Sequence, residues 1–111
     1  MKIELQRYND VIVLQLQGDF TAETLKSLEN ETNNAFASKV SGIVLDMTKV
    51  VFMDSQALEY LVELNEKCRE NTRQLKVAGL DETCALILEL TRLLPQFDTY
   101  TGLTEAVKSF A

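Results

Sequence analysis

The chain has 111 residues, 46% hydrophobic and 25% charged, with four glycines and one proline. That describes one ordinary globular domain with a core of its own, and it excludes disordered and low-complexity classes. Seventeen acidic against eleven basic residues give a net charge of −6, which speaks against nucleic acid and anionic membranes as partners.

No apolar run approaches the roughly 20 residues of a membrane span, so direct membrane insertion is not expected. The alternating start Met1-Lys2-Ile3-Glu4-Leu5-Gln6-Arg7 reads as a strand rather than a signal peptide, and the expected location is cytoplasmic. The chain has no histidine, which removes Ser-His-Asp and Cys-His catalysis and the commonest transition-metal ligand. Cys68 and Cys84 form no CxxC pair and read as buried structural thiols. Gly18, Gly42, Gly79 and Gly102 are isolated and make no phosphate-cradling loop. The expectation is a protein that is not an enzyme, with no metal and no cofactor.

In chain order, Ile3, Leu5 and Arg7 alternate with Glu4, Gln6 and Tyr8, Asn9-Asp10 marks a turn, and residues 11–17 return as the second strand of a hairpin. Thr21 is placed to cap a helix, with Glu23 in its first turn. Leu25, Leu28, Thr32, Ala35 and Phe36 recur at helical spacing, while Lys26, Glu29, Asn30 and Asn33 face outward. Ile43-Val44-Leu45-Asp46 is a short apolar run that suits a sheet centre. Asp46, at its end, is expected to satisfy loop N–H groups rather than bind metal.

The next helix starts near Asp54 or Ser55, either of which can cap it. Its inward stripe is Ala57, Leu58, Leu61, Val62, Leu64 and Cys68. Glu59, Glu63, Glu66, Lys67 and Glu70 point outward, an acidic face that is either simply solvated or meets a basic partner. Leu75, Val77 and Ala78 make a fourth strand, closed by Gly79. Asp81 caps a third helix carrying Cys84, Ile87, Leu88 and Thr91, and Pro95 forbids its continuation. Residues 97–100 form a fifth strand and residues 103–110 a short last helix. The order implies an α/β fold, a mixed sheet of about five strands packed with four helices, with strands three to five parallel through helical crossovers.

The segment from Ile43 through Asp46 to Asp54-Ser55-Gln56-Ala57-Leu58 resembles the core of the STAS family, the sulfate transporter and anti-sigma factor antagonist domains. There a strand ending in Leu-Asp leads through a short apolar loop to Asp-Ser-Ser-Gly-Leu at a helix start. The earlier Leu16-Gln17-Gly18-Asp19-Phe20-Thr21 is similar to the family's Gly-Glu-Leu-Asp turn. The resemblance covers nearly all 111 residues and implies one STAS-like domain.

In the family's regulated members a partner kinase, the anti-sigma factor, phosphorylates a hydroxyl at this helix start. A helix N-terminus stabilises a phosphate, and the added charge reverses a contact surface. Asp54 and Leu58 keep the family's residue types, and Ser55 matches the first serine. The residue that is phosphorylated aligns with Gln56, whose amide accepts no phosphate. Ala57 replaces the glycine, and Glu59 stands where a small residue is usual.

The resemblance therefore implies a regulatory interaction module docking through residues 54–59 onto an anti-sigma factor or kinase-like ATPase. It implies no phosphoacceptor at the usual position, Ser55 being left as a substitute. The alternative is an accessory subunit of an ABC-type lipid transporter, bound to its ATPase subunit. Asp54 and Ser55 can equally be helix caps and nothing more.

Overall fold

The computed structural model describes residues 2–110; Met1, part of the strand pattern read above, lies outside them. Strands β1 (Lys2–Tyr8) and β2 (Val11–Gln17) form the hairpin, with Asn9 in the left-handed region at φ 56°, a conformation asparagine tolerates. A 3₁₀ turn (Ala22–Thr24) leads into α1 (Leu25–Ala37), followed by β3 (Gly42–Lys49), α2 (Ser55–Glu70), β4 (Gln74–Ala78) and α3 (Glu82–Leu90). A second 3₁₀ turn (Leu94–Gln96), β5 (Asp98–Tyr100) and α4 (Leu103–Lys108) complete the order.

The five strands lie side by side in chain order, β1 antiparallel to β2 and every other pair parallel. The parallel set thus begins at β2, one strand earlier than expected, because α1 is a crossover like the helices after it. Right-handed crossovers between sequential neighbours put α1, α2 and α3 on one face of the sheet. There Ile12, Leu14, Ile43, Leu45, Leu75 and Val77 meet Leu28, Leu61, Leu64 and Leu88. On the other face Val11, Val13, Val44 and Ala78 meet α4 through Ala106, with Leu103, Val107 and Phe110 packed beside it. Gly42 is required there: a Cβ at that position would collide with the Phe110 ring.

Three boundaries differ from expectation. β3 continues three residues past Asp46, to Lys49, because Asp46 is buried on the α4 face with its needs met locally. Its Oδ1 accepts the Thr48 N–H at 3.1 Å and the Thr48 hydroxyl, and its Oδ2 accepts the Gln15 amide at 3.3 Å. β5 starts only at Asp98, since the Phe97 N–H turns back to the Leu94 carbonyl at 3.1 Å. α4 ends at Lys108. On the same face Lys76 is buried, paired with Asp98 at 3.3 Å and hydrogen-bonded to the Tyr100 hydroxyl at 3.2 Å.

Candidate functional site

The loops leaving β2 and β3 run side by side and are stitched together. The Gly18 N–H donates to the Lys49 carbonyl at 3.2 Å, the Phe20 N–H to the Phe52 carbonyl at 3.0 Å and the Asp54 N–H to the Phe20 carbonyl at 3.2 Å. Phe20 and Met53 form a parallel bridge and are both buried. Apolar anchors and backbone bonds thus fix the segment that presents the start of α2.

Asp54 is the N-cap of α2, in extended conformation, and its Oδ1 accepts the Ala57 N–H at 2.8 Å. Its Oδ2 accepts the Ala22 N–H at 3.0 Å, at the start of the first 3₁₀ turn. One carboxylate therefore satisfies orphan donors of two helical segments at once. These bonds, Ala22 first and Ala57 second, hold its pKa below the ordinary 3.8 by stabilising the charged form.

The residues at 54–59 divide between inside and outside. Ser55, Gln56 and Glu59 are exposed, with Ser55 and Glu59 one turn apart on the same side. Ala57 and Leu58 are buried, and the small side chain at 57 packs into the core. Ser55 is the first residue of α2, not its cap. Its hydroxyl makes no hydrogen bond among the described residues, because Asp54 already holds the first-turn donor. At the other helix start, Thr21 acts through its backbone: its N–H donates to the Thr24 hydroxyl at 3.0 Å.

Composition and periodicity missed two neighbours, Val51 and Phe52, 61% and 46% exposed. Their one signal in sequence is a pair of large apolar residues in a loop between a strand and a polar helix start. Beside them lies a shallow concavity lined by Asp19, Thr21, Ala22, Glu23, Thr24 and Asp54. Its three carboxylates make it a poor seat for an anion. Among the described residues no group of three or more acidic or thiol side chains is placed to hold a metal ion, and no helix is long and apolar enough to cross a membrane.

A mixed five-stranded sheet with three helices on one face, a fourth on the other and a capped helix start at its rim defines a single-sheet α/β fold. The family model of the STAS domain matches residues 2–106, and the chain belongs to the STAS family. The same fold is found in a Thermotoga maritima protein classed with the anti-sigma factor antagonists (TM-score 0.88, 18% identity, 96% of this chain and 92% of that one). It is found in an anti-sigma factor antagonist from Mycobacterium paratuberculosis (TM-score 0.86, 23% identity, 97% and 92%). The phosphorylated form of SpoIIAA, the Bacillus cell fate determinant, shares it too (TM-score 0.77, 15% identity, 99% and 100%). In sequence the chain is 30% identical over 96 residues to a Lon protease of Chloroflexus aggregans, spanning 86% of this chain but 11% of that protein's length.

Proposed function

We propose that this STAS domain is a regulatory interaction module that docks a partner protein where α2 begins. Ser55, Gln56 and Glu59 supply the polar contacts, and Val51 and Phe52 the apolar anchor. Phe52 carries the reading: an aromatic side chain lies 46% exposed on a backbone fixed by its bond from Phe20. Rigid exposed aromatics beside polar groups are the usual anchors of interfaces. The fold shared with anti-sigma factor antagonists supports an anti-sigma factor, a kinase-like ATPase, as the partner.

The role is non-enzymatic: Ser55 has no histidine base anywhere in the sequence. Gln56 leaves the usual phosphoacceptor position without a hydroxyl, so the surface is permanently in its binding-competent state. Two buried free thiols, Cys68 and Cys84, support a reducing, cytoplasmic setting.

The test is titration calorimetry of wild type, Gln56→Arg and Phe52→Ala against the purified kinase-like ATPase encoded nearest this protein's gene. Both variants should bind at least tenfold more weakly, with the unfolding midpoint of Gln56→Arg within about 0.5 kcal/mol of wild type. Wild-type affinity in both would place the contact elsewhere. Binding to an ABC transporter ATPase subunit, and not to the kinase-like protein, would assign the transporter-subunit role instead.

A further inference from the structure

A second surface goes beyond the α2-start reading. Six of the nine residues of α3 are apolar: Cys84, Ala85, Leu86, Ile87, Leu88 and Leu90. A helix apolar on nearly every side belongs in a core, yet only Cys84 and Leu88 are buried. Leu86 and Leu90, one turn apart, are 51% and 74% exposed. Three residues after Leu90, Leu93 joins Leu58 and Val62 in an open groove whose polar lining is Glu59 and Glu63.

The charge of this groove selects its occupant. The α2 sequence carries no basic residue before Lys67, and α3 carries none at all. Among the described residues, neither Glu59 nor Glu63 is in a salt bridge. A second copy of the chain would set these carboxylates against their own kind, and an anionic membrane would be repelled in the same way. We propose that the groove between α2 and the turn that follows α3 takes an amphipathic helix of a partner protein, with its apolar stripe on Leu58, Val62 and Leu93 and its flanking lysines or arginines over Glu59 and Glu63. Helix-in-groove recognition needs this combination of an apolar floor and charged walls.

The full chain, labelled with ¹⁵N, is titrated with a synthetic leucine–lysine amphipathic helix, and with a leucine–glutamate helix of equal length as control. The lysine peptide should shift the amides of Val62, Glu63 and Leu93, and the glutamate peptide should not. Leu93→Lys, a change at a half-buried position that lines the groove, should weaken the lysine peptide about tenfold, the size of an ordinary anchor loss. Glu59→Lys combined with Glu63→Lys should reverse the preference between the two peptides, which a merely structural role would not do.

Equal binding of both peptides, an unreversed preference in the charge-swapped chain, or shifts confined to residues 51–56 would overturn the proposal. So would a dimer that Leu93→Lys dissolves. Glu59 serves both surfaces but Glu63 only the groove, so Glu63→Lys alone should weaken the lysine peptide, and its silence would sink this proposal without touching the α2-start reading.

Discussion

The carboxylate of Asp54 accepts the backbone N–H of Ala22 across 32 positions of chain, at 3.0 Å. The two segments that the family resemblance had marked separately, 16–21 and 43–58, are thereby one structural unit. The bond ties the start of α1's 3₁₀ turn to the start of α2. The presented surface at Ser55 and Gln56 is held from both sides.

The first prediction follows from that double role. Asp54→Ala removes the acceptor for both Ala22 and Ala57 and should lower the urea midpoint clearly. Asp54→Asn keeps one acceptor oxygen and should fall between. Ser55→Ala, which deletes a hydroxyl with no partner among the described residues, should be nearly silent. If Ser55→Ala proves as damaging as Asp54→Ala, the assignment of Asp54 as the cap is wrong.

The pH dependence has a definite sign. The folded-state pKa of Asp54 lies below its ordinary 3.8, so its stabilising bonds are fully present above that value. They are lost as pH falls through the depressed pKa, where the unfolded chain already binds the proton more readily. The amide shifts of Ala22 and Ala57, followed together against pH, should titrate with one midpoint under 3.8. A midpoint at or above that value would show that the two bonds do not stabilise the charged form.

Both α2 and α3 end in Schellman motifs without glycine. After α2, the Arg73 N–H reaches the Cys68 carbonyl at 2.8 Å and the Thr72 N–H reaches Arg69 at 3.2 Å. After α3, Leu93 and Arg92 make the matching bonds to Leu88 and Glu89 at 2.8 and 3.0 Å. The left-handed residues are Thr72 at φ 56° and Arg92 at φ 62°, where a side chain costs about 1–2 kcal/mol and a β-branched one most. Thr72→Gly should therefore stabilise the protein by about 1 kcal/mol, and Arg92→Gly by less. Chemical denaturation of the two variants ranks them, and a destabilised Thr72→Gly would refute the strain argument.

Gly42→Ala tests the α4 face. The added methyl must displace the Phe110 ring and also press on the Gln74 backbone carbonyl, with an expected loss of about 1–3 kcal/mol as in other overpacked sites. Phe110→Ala in the same background should recover part of that loss, and a double-mutant cycle with no coupling between the two would disprove the contact.

The phosphorylation state is predicted by residue chemistry and charge. Gln56 has no hydroxyl, and a phosphate on Ser55 would sit beside Asp54, with Asp19 and Glu23 lining the adjoining concavity with it. Incubated with ATP and the kinase-like ATPase proposed above as its partner, the intact protein should keep its mass. A stoichiometric phosphate that vanishes in Ser55→Ala would contradict this.

Two thiols and one segment show how much was legible beforehand. Residue type and a place in a helical stretch predict burial of Cys68 and Cys84, and burial pushes their pKa values up to about 11 and about 12. The segment 43–58 carries the resemblance to the family through its own residues, and hydrophobic period and the polar helix start are likewise local properties that sequence records directly. So are the element order, the acidic outer face of α2 and the absence of a hydroxyl at Gln56.

Tertiary structure alone decided the rest. That Asp54, the local cap of α2 through the Ala57 N–H, also holds the Ala22 N–H depended on a donor that only folding brings within reach. Whether Ala57 opens toward a partner or fills the core depended on what stands over it. Val51, Phe52, Leu86 and Leu90 look like core residues in the sequence yet lie exposed. Periodicity gives the side of an element on which a residue sits, whereas burial needs a second element to cover that side, and its arrival is a long-range event that no local pattern encodes.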